Sequence, residues 1–207
     1  MNSLLIGIEG VDGCGKSTFA RSLVQSLLEQ NLLPVLTREP GGTNFGLKLR
    51  QILQYRDQIG ELDPKAEYLL FAADRAQHFT QVVIPNLQAG KIVISDRTCD
   101  SSIVYQGYGR GLDRSMISQI NQWATCGIKP NLIIYLKIDV QTSQERITCR
   151  AEQVTAFEQA GVQFLNKLIV GFDELYSNRN DVLILDGKLP VDQLVAQAAV
   201  RILDLVR

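Results

Sequence analysis

The sequence predicts an α/β protein in which one sheet of five parallel strands is flanked by helices on both faces. Three observations lead there. Five short apolar runs recur along the chain; the stretches between them place apolar residues three to four apart, the spacing of one helix face; and the alternation covers all 207 residues without a repeat or a low-complexity linker. Short buried strands separated by helices need crossover connections, and strands joined that way pair in parallel. The whole chain, 1–207, therefore reads as one domain.

The first run, Leu4–Glu9 (LLIGIE), suits a buried strand and enters a glycine-rich turn over residues 10–15. Phe19, Leu23, Leu27 and Leu28 then mark the apolar face of a helix. Pro34–Arg38 (PVLTR) is the second strand, broken by the turn-forming Glu39-Pro40-Gly41-Gly42, and residues 45–53 read as helical. Pro64, tolerated in a first helical turn, opens a long helix to about residue 79, and Pro85 kinks or restarts the chain beyond it. Residues 91–95 (KIVIS) form the third strand, ending at Asp96-Arg97; residues 132–138 (LIIYLKI) form the fourth and 182–185 the fifth. Further helices are expected over 114–125, 142–150, 159–176 and 190–206.

Composition narrows the chemistry. With 21 basic and 22 acidic side chains the net charge is −1, so nothing in the overall field favours a nucleic acid or an anionic membrane, and any phosphate must be met locally. No apolar run approaches the ~20 residues a membrane span needs, and no basic-then-apolar leader opens the chain. Cys14, Cys99, Cys126 and Cys149 lie far apart with no C-x-x-C pair, and His78 is the sole histidine. Zinc sites and disulfide frameworks lose their spacing signal, a Ser-His-Asp hydrolase would have to rely on His78, and a cytoplasmic protein is expected.

Gly10-Val11-Asp12-Gly13-Cys14-Gly15-Lys16-Ser17 matches G-x-x-x-x-G-K-[ST], the P-loop, with a strand before it and a helix after it. Its glycines let backbone N–H groups approach phosphate oxygens, and the helix start adds a favourable dipole. Lys16 is positioned to bridge the β- and γ-phosphates of a nucleotide and Ser17 to ligate Mg²⁺, so ATP binding is expected along the run Gly10 to Ser17 and at Thr18. Cys14 reads either as an oxidation-sensitive thiol or as a small buried residue. The motif leaves the fate of the nucleotide open, since GTPases, motor ATPases and small-molecule kinases share it, although no N-K-x-D guanine signature is present.

Further segments fit an acceptor site. Thr37-Arg38-Glu39-Pro40-Gly41-Gly42-Thr43 follows the second strand, Phe71-Ala72-Ala73-Asp74-Arg75 lies on the long helix, and Asp96-Arg97 ends the third strand. Ser102-Ile103-Val104-Tyr105-Gln106-Gly107 comes next, followed by Gly109-Arg110-Gly111. In this order, over nearly the whole chain, the segments resemble the bacterial thymidylate kinases, enzymes that phosphorylate dTMP to dTDP with MgATP. The resemblance implies a P-loop kinase fold with a short lid at about 146–157, ATP and dTMP as substrates, and Mg²⁺ as cofactor. It also implies a dTMP site made of Asp12, Arg38, Arg50, Phe71, Arg75, Arg97, Ser102 and Gln106. A homodimer is expected because two-fold assemblies are the commonest closed ones. A kinase for another nucleotide or deoxynucleoside, or a non-catalytic nucleotide-binding module, is the alternative.

The residues themselves admit this reading and plainer ones. Phe71 and Arg75, four apart on a helix, can address one planar base by stacking and by donation to a carbonyl such as thymine O4; equally, Phe71 can be core and Arg75 a surface ion pair. Arg97 stands past the C-terminal end of a central strand, where open α/β sheets bind ligands, and suits a dianionic phosphate, with Asp96 beside it for the Mg²⁺ shell; a structural Asp-Arg pair is the alternative. Arg50 is either near the acceptor phosphate or solvated. Ser102 is either a base contact or a helix N-cap. Gln106 can form paired contacts with a thymine edge, and Tyr105 can be core.

One departure from the family pattern stands out. The P-loop interior Val11-Asp12-Gly13-Cys14 carries no arginine, so the lid has to supply the cation over the transferring phosphoryl. Where relatives show a Leu-Asp-Arg-type segment, this chain has Thr155-Ala156, leaving Arg146 and Arg150, four apart on one helix face. The catalytic set expected is therefore Lys16, Asp12, Arg97 and Arg150.

Overall fold

The computed structural model describes residues 3–55, 59–150 and 154–206. Five parallel strands form one sheet in the order β2-β3-β1-β4-β5, with β1 Leu4–Glu9, β2 Pro34–Arg38, β3 Ile92–Asp96, β4 Leu132–Lys137 and β5 Val182–Asp186. Connections to the two sides of β1 diverge, so a crevice opens at the carboxyl ends of β1 and β3, the usual ligand position in such sheets. The third strand runs one residue further than 91–95, because Arg38 and Ile8 both stand opposite Asp96 and extend the ladder to it.

Alternation along the strands divides the core. Leu4, Ile6, Ile8, Ile92 and Ile94 pack with Phe19, Leu23 and Leu27 of α1 (Lys16–Glu29), which meets the C-terminal helix α9 (Val191–Val206). Leu5 and Val93 point to the opposite face and pack against Phe79 and Val83. Tyr135 of β4 stacks on Phe172 of α8 (Gly161–Tyr176), with ring centroids 5.3 Å apart.

The long middle helix α3 (Pro64–His78) has Asp63 as its N-cap and Pro64 in its first turn. It passes into a π-helical turn, Phe79–Val83, before α4 (Ile84–Gln88), so the restart expected at Pro85 begins one turn earlier. Asp139 caps α7 (Val140–Cys149) by accepting from the Thr142 amide at 2.7 Å, which starts that helix two residues before the 142 expected from periodicity. The remaining helices are α2 (Asn44–Gln54), α5 (Cys99–Ser102), which continues as a π-helical segment Ile103–Gly109, and α6 (Arg114–Ala124). Periodicity did not signal α5 or its continuation. No helix among the described residues is long and apolar enough to cross a membrane.

Candidate active site

The P-loop leaves β1 and enters α1, whose start at Gly15 has no side-chain cap, so its first N–H groups face the loop's concavity. Its glycines answer to space. A Cβ on Gly10 would come within 2.7 Å of the Leu136 carbonyl oxygen and one on Gly13 within 2.7 Å of that of Ser143, both at positive φ. Ser143 of α7 donates to the Asp12 carbonyl at 2.7 Å, which ties the helix bearing Arg146 and Arg150 to the loop. Lys16 is 7% exposed and its ammonium donates to the carbonyls of Gly10 (3.0 Å) and Val11 (2.9 Å). Cys14 is 2% exposed, in agreement with the small-buried-residue reading.

A cleft of about 570 Å³ opens beside this loop, within the range of small-molecule sites. It gathers Asp12, Gly13, Gly15, Lys16, Ser17 and Thr18 with Arg38, Arg50, Phe71, Arg75, Asp96, Arg97, Ser102, Gln106, Arg146 and Arg150. Of the expected site residues only Gly10, Val11 and Cys14 lie outside its lining; they are the buried back of the loop. Among the described residues, eight basic side chains line the cleft against four acidic ones, a local excess that the chain's −1 balance conceals and that suits phosphate-bearing ligands. Arg50 shows the crowding: burial, and then the guanidiniums of Arg38 and Arg97, push its pKa down.

Arg97, the first residue after β3, has φ 75°, a strained conformation for a non-glycine that turns its side chain into the cleft. Its guanidinium donates to Asp12 at 2.5 Å and Tyr105 at 3.1 Å through one nitrogen, and to the Gly10 carbonyl (3.0 Å) and Ser101 (3.1 Å) through the other. The Asp-Arg pair it forms is thus with Asp12, not with its neighbour Asp96. Asp96 instead accepts from the Ser17 hydroxyl at 2.8 Å. Burial raises the Asp12 pKa, but Arg97, Lys16 and Arg150 outweigh it and hold the carboxyl below its ordinary value.

Arg75 is in an ion pair, yet a buried one at 1% exposure: Nε donates to Glu39 at 2.8 Å, Nη1 to Asn121 at 2.6 Å, and Nη2 to the Thr98 carbonyl and the Ser102 hydroxyl. These bonds account for four of its five N–H donors. Ser102 is not an N-cap; Thr98 caps α5, and Ser102 lies a turn inside. Gln106 donates to Glu67 at 2.9 Å, which fixes the orientation of its amide. Phe71 is half-buried on the cleft wall, its ring 5.9 Å from that of Phe157.

Arg150 ends α7 and pairs with Glu158 at 2.5 Å, while the other Glu158 oxygen accepts from the Thr155 amide. Arg146 donates to the Gly187 carbonyl at 2.9 Å. Within the lid expected at 146–157, residues 151–153 lie outside the described residues.

Sequence reasoning assigned no role to Glu39, Phe157 and Glu158, which also line the cleft. For Glu39 the signal was its place in the segment after β2; for the pair Phe157-Glu158 it was their position at the end of the expected lid, just after Thr155-Ala156.

A P-loop at the carboxyl edge of a parallel sheet, facing a cationic and aromatic second half of one cleft, defines a P-loop kinase of the kind that works on small nucleotides. The chain belongs to the thymidylate kinase family, whose model matches residues 8–198. A thymidylate kinase from Synechococcus sp. (strain CC9605) is 40% identical over 186 residues, covering 87% of this chain and 88% of that protein. The thymidylate kinase of Prochlorococcus marinus (strain MIT 9303) is 42% identical over 185 residues, 87% of this chain and 85% of that one. The crystal structure of thymidylate kinase from Ehrlichia chaffeensis superposes with a TM-score of 0.79 at 30% identity, covering 98% of this chain and all of that one.

Proposed function

We propose that this cleft transfers the γ-phosphoryl of MgATP to a 5′-phosphate oxygen of dTMP, giving dTDP and ADP. The activity is that of the family, and the observation that carries the assignment of residues is the joining of the P-loop to the Phe71–Arg75–Arg97 half in one cleft. An acceptor phosphate oxygen is already nucleophilic at neutral pH, so positioning and charge neutralisation do most of the work. Arg97, with Arg38 and Arg50, holds the acceptor phosphate. Asp12 keeps Arg97 in place by their ion pair.

The base end is read from the hydrogen bonds of Arg75 and Gln106. Phe71 stacks on thymine; the remaining N–H of Arg75 donates to O4; and Gln106, its nitrogen turned to Glu67, presents its carbonyl to N3–H. Replacing Phe71 by alanine is expected to weaken dTMP binding by roughly 1–3 kcal/mol with ATP binding unchanged, as titration calorimetry with each ligand reads. Loss of thermal stability without a selective loss of dTMP affinity would return Phe71 to the core.

Ser17 and Asp96 fit Mg²⁺: a hydroxyl and a carboxylate, oxygen donors both, meet in the cleft at 2.8 Å. An ion held there with ATP would neutralise charge on the phosphates. The reading treats 1–207 as one kinase domain, in keeping with a sheet that draws strands from Leu4 to Asp186. It places the enzyme in the cytoplasm, in keeping with four unpaired thiols.

The homodimer belongs to the same reading. On the outer faces of α3 and α6, Leu69 is 55% exposed, Met116 55% and Trp123 82%, an apolar surface of the sort isologous contacts cover. Trp123→Glu should convert a dimer to a monomer in light scattering, and a monomeric wild type would refute it.

A coupled assay against a panel of nucleoside monophosphates and thymidine tests the function as a whole. Turnover confined to or greatest with dTMP is expected. Preference for another acceptor, or binding without turnover, would replace the proposal.

A further inference from the structure

The last residue of β1, Glu9, is fully buried and lies outside the machinery assigned above. Its carboxylate is bound from one side only. The Thr98 amide (2.7 Å) and hydroxyl (2.8 Å) donate to one oxygen, and the Ser101 hydroxyl donates to the other at 2.6 Å. All three donors are neutral; two come from Thr98, which follows Arg97 in the turn after β3, and one from Ser101 in the short helix α5 that Thr98 caps. A buried carboxylate held by neutral groups is costly, and burial drives its pKa up to about 7 even though Arg97 pulls it down.

The turn that Glu9 binds carries Arg97. This arginine is strained at φ 75°, its amide bonded to the Ile8 carbonyl at 2.9 Å, and its Nη1 donates to Ser101, the hydroxyl that Glu9 accepts from. The Ser101 hydroxyl thus has its proton committed to Glu9 and its lone pairs left for the guanidinium. With the Gly10 carbonyl also on Nη1, that edge of Arg97 is bound to fixed atoms, while the Nη2 edge meets Asp12 and Tyr105 in the cleft. We propose that Glu9 is a positioning residue for the acceptor phosphate: through Ser101 it orients the Nη1 edge of Arg97 and leaves the Nη2 edge to turn between Asp12 and the incoming dianion. The proposal rests on the reading of Arg97 as an acceptor-phosphate ligand.

The test is steady-state kinetics and thermal melting of Glu9→Gln, Ser101→Ala, the double variant and Arg97→Ala. Gln keeps an acceptor for Thr98 but turns an N–H toward Ser101, so the hydroxyl can no longer be oriented by donating there. Glu9→Gln and Ser101→Ala should each raise KM for dTMP by about 10-fold, the scale of one hydrogen bond to a charged group, with KM for ATP changed by less than about twofold. Because both act through one hydroxyl, the double variant should lose no more than about twofold beyond the larger single effect. An unchanged KM for dTMP in Glu9→Gln, an equal rise for both substrates, or losses that multiply in the double variant would each overturn the proposal. Should Glu9→Gln fail to fold, Ser101→Ala decides alone, since it leaves Glu9 bonded to Thr98. Arg97→Ala separates the two levels: if it weakens dTMP selectively while Glu9→Gln does not, only the Glu9 proposal falls. If it affects ATP and dTMP alike, the reading of Arg97 falls first.

Discussion

Lys16→Ala is expected to lower kcat by about 10³-fold or more while the protein still melts cooperatively, because it removes a positive charge from the place where the transferring phosphoryl gathers negative charge. The structure adds a detail that the motif does not carry. Lys16 is buried, and its ammonium covers the carbonyl oxygens of Gly10 and Val11, the residues that open the loop. Alanine removes one donor from each, but the Gly10 carbonyl keeps Arg97 and the Val11 carbonyl keeps the Cys14 amide, so the melting temperature should fall only slightly. Single-turnover kinetics alongside melting curves separate the two effects. ATP-dependent dTDP formation near the wild-type rate in a folded Lys16→Ala protein would end the assignment of the P-loop.

The elements that the sequence revealed are those whose signal is local. β1 and β2 coincide with their apolar runs because a turn or a proline bounds each of them, and the P-loop is legible because phosphate binding needs its glycines at fixed spacing. Helix starts at α7 and α2 were off by one or two residues, since Asp139 and Thr43 cap through bonds that apolar periodicity does not register. The segment from α5 to Gly109 escaped because its apolar residues fall mainly in one block, 103–105, on a stretch wound largely as a π-helix, and leave no 3.6-residue stripe.

Within the cleft, the sequence pointed to most of the residues that line it but not to their hydrogen-bond partners. The partners of Arg75 are Glu39, Asn121, Thr98 and Ser102, each more than twenty positions away in sequence, so spacing along α3 gave no way to see that its guanidinium is buried. Asp12 and Arg97 are likewise brought together only by the pairing of β1 with β3. Glu9 looked like the end of an apolar strand. Its part emerges only when the turn after β3 is folded over it.

The second large effect concerns the lid expected at about 146–157. With no arginine in the P-loop interior, the proposed mechanism assigns charge on the transferring phosphoryl to Lys16, Mg²⁺ and an arginine from α7. The structure separates the two candidates. Arg146 lines the cleft but donates to the Gly187 carbonyl, a bond to fixed backbone. Arg150 stands where α7 ends, close enough to Asp12 to lower its pKa, and pairs with Glu158, whose other oxygen receives the Thr155 amide. It is therefore tied to the segment leading into α8, at the edge of the cleft that holds the P-loop. Arg150→Ala should lower kcat by about 100-fold or more with dTMP affinity little changed, because the contact forms mainly in the transition state. Arg146→Ala should cost far less. Glu158→Gln, which frees Arg150 from its ion pair, should keep most of kcat, so a loss in Arg150→Ala cannot be put down to the broken pair. A near-normal kcat in Arg150→Ala would make it a helix-end arginine favoured by the dipole and pass the role to Arg146 or to a partner subunit.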